Sequence, residues 1–157
     1  MIQSDPFCCI AAACLLLLLP ASWILAALTA AVVHEAGHIL AVLFFGGKIH
    51  RARISVTGCV IECGEITEFG KLISILAGPV CSLMLICFRR IAPQISVCGL
   101  CQGLFNLLPV LPLDGGRILQ LLLFHFCPYH ASAAMNILKY AVWCIIGCVL
   151  IWILRCS

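Results

Sequence analysis

Long stretches without charge alternate with short polar ones along this chain, and their lengths predict membrane-spanning helices. From Phe7 to Val33 there is no Lys, Arg, Asp or Glu. Pro20-Ala21-Ser22 breaks that run, because a proline inside a helix deletes a hydrogen bond and clashes one turn back. The pattern therefore predicts a short span over 7–19 and a second over 23–45. At 1.5 Å per residue the second extends about 34 Å, enough to cross a bilayer with some tilt. Gly46-Gly47 ends it. The stretch 48–71 is the most polar in the chain, with four of the nine Lys/Arg and three of the six acids. Ile49, Ile54, Val56, Val60 and Ile61 favour extended backbone and Thr57-Gly58 is a turn signal, so a small β-hairpin at the membrane surface is expected. A third span follows over 72–88, with Gly78-Pro79 inside it and Arg89-Arg90 at its end. A fourth covers 95–126, broken by Pro109 and Pro112, and a terminal span covers 140–154.

The expected fold is thus an all-α integral membrane protein with a small surface hairpin, one core over residues 1–157. It has five transmembrane helices, or six if the proline-rich break fully separates two crossings. The leading MIQSDP carries no Lys or Arg. It lacks the positive start of a cleaved signal peptide, so the first run is read as a retained helix. With the N-terminus inside, Lys48, Arg51, Arg53, Lys71 and Lys139 fall on the inner side, against Arg89, Arg90 and Arg155 outside. That asymmetry favours a cytoplasmic N-terminus and a multi-pass protein of the cell membrane.

Composition reinforces this picture. Of 157 residues 64% are hydrophobic and 10% charged, with a mean hydropathy of +1.22. A soluble domain of this size leaves too much of its chain area exposed to hide such a content. A soluble enzyme and a disordered tail are excluded. The net charge of +3 is scattered, with no basic run to grip a phosphate backbone, so nucleic acid is not a partner. Most of the thirteen cysteines lie in apolar runs, where Cys behaves as a small hydrophobe. Cys98-x-x-Cys101 lies in such a run too, without the surroundings of a redox motif.

The anomaly is His34-Glu35-Ala36-Gly37-His38, in the middle of the second span. An ionised group at the bilayer centre costs roughly 2.5–3.5 kcal/mol on insertion scales, so Glu35 needs compensation there. Helical geometry sets His34 and His38 about 40° apart on one face, one turn separated. Two imidazoles so placed can bind one Zn²⁺, with Glu35 offset to reach a water beside the metal. Metal-free histidines hydrogen-bonded on a polar bundle face are the alternative. A hydrolytic zinc site needs a third protein ligand and an open fourth position. Asp114 is the other acid in an apolar stretch, within Asn106-Leu-Leu-Pro-Val-Leu-Pro-Leu-Asp114-Gly-Gly-Arg117. Irregular backbone at membrane depth is tolerated where it is buried in protein or lines a wet cavity, which places Asp114 at a polar site. Capping of a helix by Asp114, or an Asp114–Arg117 pair, are the structural alternatives.

HEAGH in an early span, Ala77-Gly78-Pro79, and NLLPVLPLDGGR over 106–117 together resemble the site-2 protease family of intramembrane zinc metalloproteases, and within it the compact, sporulation-protein branch. The resemblance implies one Zn²⁺ per chain held by His34, His38 and Asp114, Glu35 as catalytic base, and Asn106 orienting substrate. It also implies cleavage of a peptide bond in or beside a transmembrane or membrane-associated segment of a protein, such as a membrane-tethered transcription regulator. Nothing in the sequence resembles the PDZ or CBS domains of larger relatives. The rival classes are an inactive relative that holds a client protein, and a zinc-handling membrane protein. Glu35 argues against the first. Against the second, His50, His125 and His130 lie near the expected membrane surfaces and form no polar route across.

Overall fold

The computed structural model describes residues 20–47, 49–55, 58–63 and 66–156. The expected span over 7–19 lies outside them. Among the described residues there are five α-helices, a turn of 3-10 helix and two strands. They are α1 (Ala21–Phe44), β1 (Ile49–Ser55), β2 (Gly58–Cys63), α2 (Glu68–Met84) continued by the 3-10 turn Leu85–Phe88, α3 (Pro93–Asn106), α4 (Asp114–Phe126) and α5 (Pro128–Cys156). Two of these, Ala21–Phe44 and Glu68–Phe88, are long and apolar enough to cross a membrane.

The helix ends follow from local chemistry. Pro20 precedes α1, and its carbonyl accepts from the amides of Trp23 and Ile24. At the other end Gly46 adopts φ +75°, a left-handed conformation that is cheap only for glycine. The Gly47 amide then bonds to the Val42 carbonyl at 2.9 Å and the Gly46 amide to that of Leu43 at 3.0 Å. This paired closure satisfies carbonyls that the helix end would otherwise orphan. Thr67 caps α2, its hydroxyl accepting from the Gly70 amide at 3.1 Å, and Glu68 in the first turn suits the positive helix end. β1 and β2 pair antiparallel, with Ala52 opposite Ile61 and Ile54 opposite Cys59, and an irregularity between Ile49 and Arg51.

The chain's contacts fall into two units, Met1–Leu107 and Leu108–Ser157. In the first, α1, α2 and α3 pack pairwise against one another. Small residues make the contact. Ala26, Ala30, His34 and Gly37 recur at helical spacing on the buried face of α1, while Val32 (68% exposed) and Leu40 (65%) point outward. Large apolar groups outside and small ones between helices is the arrangement of helices solvated by lipid, where close backbone approach drives packing. A Cβ at Gly37 would lie 2.8 Å from the Ala77 carbonyl oxygen and 2.9 Å from Cys81 Sγ, so α1 and α2 meet nearly backbone to backbone. Pro79 is fully buried within α2.

In the second unit α4 and α5 are in contact. The segment before α4 folds back over its start, so a side chain at Gly116 would overlap the backbone at Val110 and Leu111. The terminal helix begins at Pro128, since a proline at the first helical position needs no amide partner, and the expected span over 140–154 lies inside it. At the expected break in the fourth span one helix ends at Asn106 and another begins at Asp114.

Candidate metal centre

His34 and His38 stand one turn apart on the face of α1 that packs against α2. His34 is buried, 3% exposed, and His38 is half-buried. Their rings meet edge to face with centroids 4.8 Å apart, and their Nε2 atoms lie 3.2 Å from each other. Each ring is held by its other nitrogen from α2. His38 Nδ1 is 2.8 Å from the Ser74 carbonyl oxygen, and His34 Nδ1 is 2.9 Å from Ser82 Oγ. A carbonyl only accepts, so His38 Nδ1 carries its proton and the Nε2 of the neutral ring presents a lone pair.

Ser74, Gly78 and Ser82 are spaced four residues apart, and all three are buried along one stripe of α2. Gly78 sits between the two serines, directly under the His38 ring. A Cβ there would overlap Nε2 and Cε1 of the imidazole and come within 2.8 Å of Cδ2. The absent side chain is what lets the ring lie where it does. Sequence reasoning noted the Ala-Gly-Pro motif but missed Ser74 and Ser82. Two serines flanking a glycine at helical spacing inside an apolar span were the signal that could have found them.

Glu35 follows His34 on the same helix and is half-buried, with Oε2 itself buried. Asn106 is the last residue of α3 and half-buried. In the second unit Asp114 is the first residue of α4, and it is 6% exposed. It does not cap the helix. Leu113 occupies the cap position and no side chain bonds there, so that alternative for Asp114 is removed. Flanking Gly115 and Gly116 are also buried.

The histidine pair suits a metal. Two ring nitrogens face each other while their opposite nitrogens are bonded to partners on the neighbouring helix. Such second partners are the usual companions of metal-ligating histidine, fixing tautomer and ring orientation. Without a metal, a proton on one Nε2 would fill the same space.

Comparison with known proteins bears on these residues. The family model described as Peptidase M50B-like matches residues 7–108, a stretch that includes His34, Glu35, His38 and Asn106 and stops before Asp114. A zinc metalloprotease of Methanocaldococcus jannaschii is 32% identical over 106 residues, covering 59% of this chain and 31% of that protein. Stage IV sporulation protein FB of Bacillus subtilis is 29% identical over 171 residues, covering 98% of this chain and 57% of the relative. The chain thus spans less than two thirds of either curated relative. Among solved structures, the site-2 protease from Methanocaldococcus jannaschii superposes with a TM-score of 0.67 at 25% identity, covering 85% of this chain and 70% of that one.

Proposed function

The chain belongs to the M50B-like peptidase family, and we propose that it is an intramembrane zinc endopeptidase. It cuts a peptide bond within or beside a membrane-embedded segment of another protein. The observation that carries this reading is the paired presentation of His34 and His38, each Nδ1 bonded to α2 and the two Nε2 atoms 3.2 Å apart. The proposed ligands are those two nitrogens and a carboxylate oxygen of Asp114, one ion per chain. Two imidazoles and a carboxylate are a donor set that catalytic zinc takes. The apolar exterior of α1 and α2 supports a bilayer as the surrounding solvent.

When bound, the zinc ion supplies Lewis acidity, polarising the scissile carbonyl and bringing the pKa of water toward about 7. Glu35 accepts a proton from the water that attacks the carbonyl carbon. The same carboxyl then gives that proton to the departing amine nitrogen as the C–N bond breaks. Asn106 is proposed to orient the substrate backbone by hydrogen bonding. A transmembrane segment hides its amides in its own helix, so the bond to be cut is exposed only after local unwinding. The free edge of the β1–β2 ribbon is proposed to receive the unwound strand. A membrane-tethered transcription regulator is a substrate of the expected kind.

The test is zinc binding by the purified full chain in detergent. Wild type should hold one zinc, and His34→Ala or Asp114→Ala should lose most of it under the same dialysis. Retention of a full equivalent by both variants would remove the reading.

A further inference from the structure

Ser82 lies on α2, and its side chain is fully buried. It packs where α1, α2 and α3 come together, with its backbone oxygen close to Gly99 of α3. Its hydroxyl is 2.9 Å from His34 Nδ1. A hydroxyl can either donate to that nitrogen or accept from it, and the two choices have opposite consequences for the ring. If Ser82 donates, the proton of neutral His34 sits on Nε2 and points at His38. If Ser82 accepts, the proton sits on Nδ1 and His34 Nε2 presents a lone pair. His38 has no such choice, because the Ser74 carbonyl fixes its proton on Nδ1.

We propose that Ser82 is a positioning residue of the metal centre. By accepting a hydrogen bond from Nδ1–H of His34 when the ion is bound, it orients the ring and aims Nε2 at the ion. This rests on the zinc reading given above. The buried position makes the role specific, since bulk water cannot replace the hydroxyl at a side chain with no exposed surface. The two histidines are then held by unequal devices: His38 by a backbone carbonyl that no substitution removes, His34 by one replaceable hydroxyl. Loss of an outer partner of this kind typically weakens metal affinity by about 10–100-fold.

The experiment compares wild type, Ser82→Ala, Ser82→Cys and Ser96→Ala as full chains in detergent. Zinc affinity is measured by competition with a chromophoric chelator, and the Nδ1–H proton of His34 by NMR of histidine-labelled protein. Ser82→Cys keeps the size of the side chain and replaces a good acceptor with a poor one. Ser96, also buried but on α3, controls for loss of any interior hydroxyl. Both Ser82 variants should bind zinc about 10–100-fold more weakly than wild type. In the zinc-loaded protein the Nδ1–H proton signal of His34 should move upfield in both Ser82 variants, as its acceptor is lost, while Ser96→Ala matches wild type. Wild-type affinity and an unchanged His34 Nδ1–H signal in zinc-loaded Ser82→Cys overturn the proposal even if Ser82→Ala fails to fold. A wild-type protein that binds no zinc refutes the underlying metal reading instead, so the two failures are told apart.

Discussion

Replacing Gly78 with alanine should weaken the metal centre as well as the fold. The added Cβ would stand 2.8 Å from Cδ2 of the His38 ring and closer still to Nε2 and Cε1, where ordinary contact begins at 3.4 Å. The ring must therefore move by several tenths of an ångström or more. Separating the helices does not relieve it cheaply, because Gly37 of α1 is already against the Ala77 carbonyl one residue away. Overpacking of this kind costs about 1–3 kcal/mol, and losing the bond from His38 Nδ1 to the Ser74 carbonyl adds about 1 kcal/mol. A zinc–nitrogen bond tolerates only about 0.2 Å of displacement, so the affinity should fall at least tenfold, or about 1.4 kcal/mol. The assay is zinc retained after dialysis at fixed free zinc, beside thermal melting of the metal-free protein. Gly103→Ala is the control, since its Cβ would meet the Leu83 side chain at 3.0 Å and touches no proposed ligand. It should soften the melt and spare the metal. Wild-type zinc affinity in Gly78→Ala would refute the reasoning, because it would mean that the His38 ring can move without consequence.

Other expectations concern helix ends. Gly46→Ala forces a side chain into φ +75° with nothing within 4 Å of its Cβ. The loss is therefore backbone strain alone, about 1–2 kcal/mol, read as a lower melting temperature with zinc content unchanged. Thr67→Ala removes the cap on α2 and should cost about 1 kcal/mol, while Thr67→Ser should recover most of it by the same melt.

The long helices were legible because their signal is local. The expected span over 23–45 is α1 over Ala21–Phe44, and the break at Gly46-Gly47 is where the chain turns. The histidine pair was equally legible, since four-residue spacing on one helix fixes which side chains meet. What stayed hidden depends on a second helix. Nothing in the local pattern says that Ser74 and Ser82 supply the partners of two histidines 36 and 48 residues earlier. Nor does it say that Gly78 is small to admit an imidazole. That α5 extends ahead of the expected span was hidden for a different reason. His130, Asn136 and Lys139 lower the apolar score of its first turns, yet a helix continues wherever its backbone bonds are made, and a membrane span need not be all of it. The capping role weighed for Asp114 failed because the helix starts on Asp114 itself, with Leu113 before it.

Glu35→Gln tests the central claim most directly, because it keeps the size of the side chain and removes only its ability to take a proton. The full chain and this variant are incubated in detergent with a transmembrane reporter, and zinc content and cleavage are measured on the same preparations. The account predicts a full equivalent of zinc in both and cleavage by the wild type alone. Cleavage at the wild-type rate by the zinc-loaded variant would contradict it.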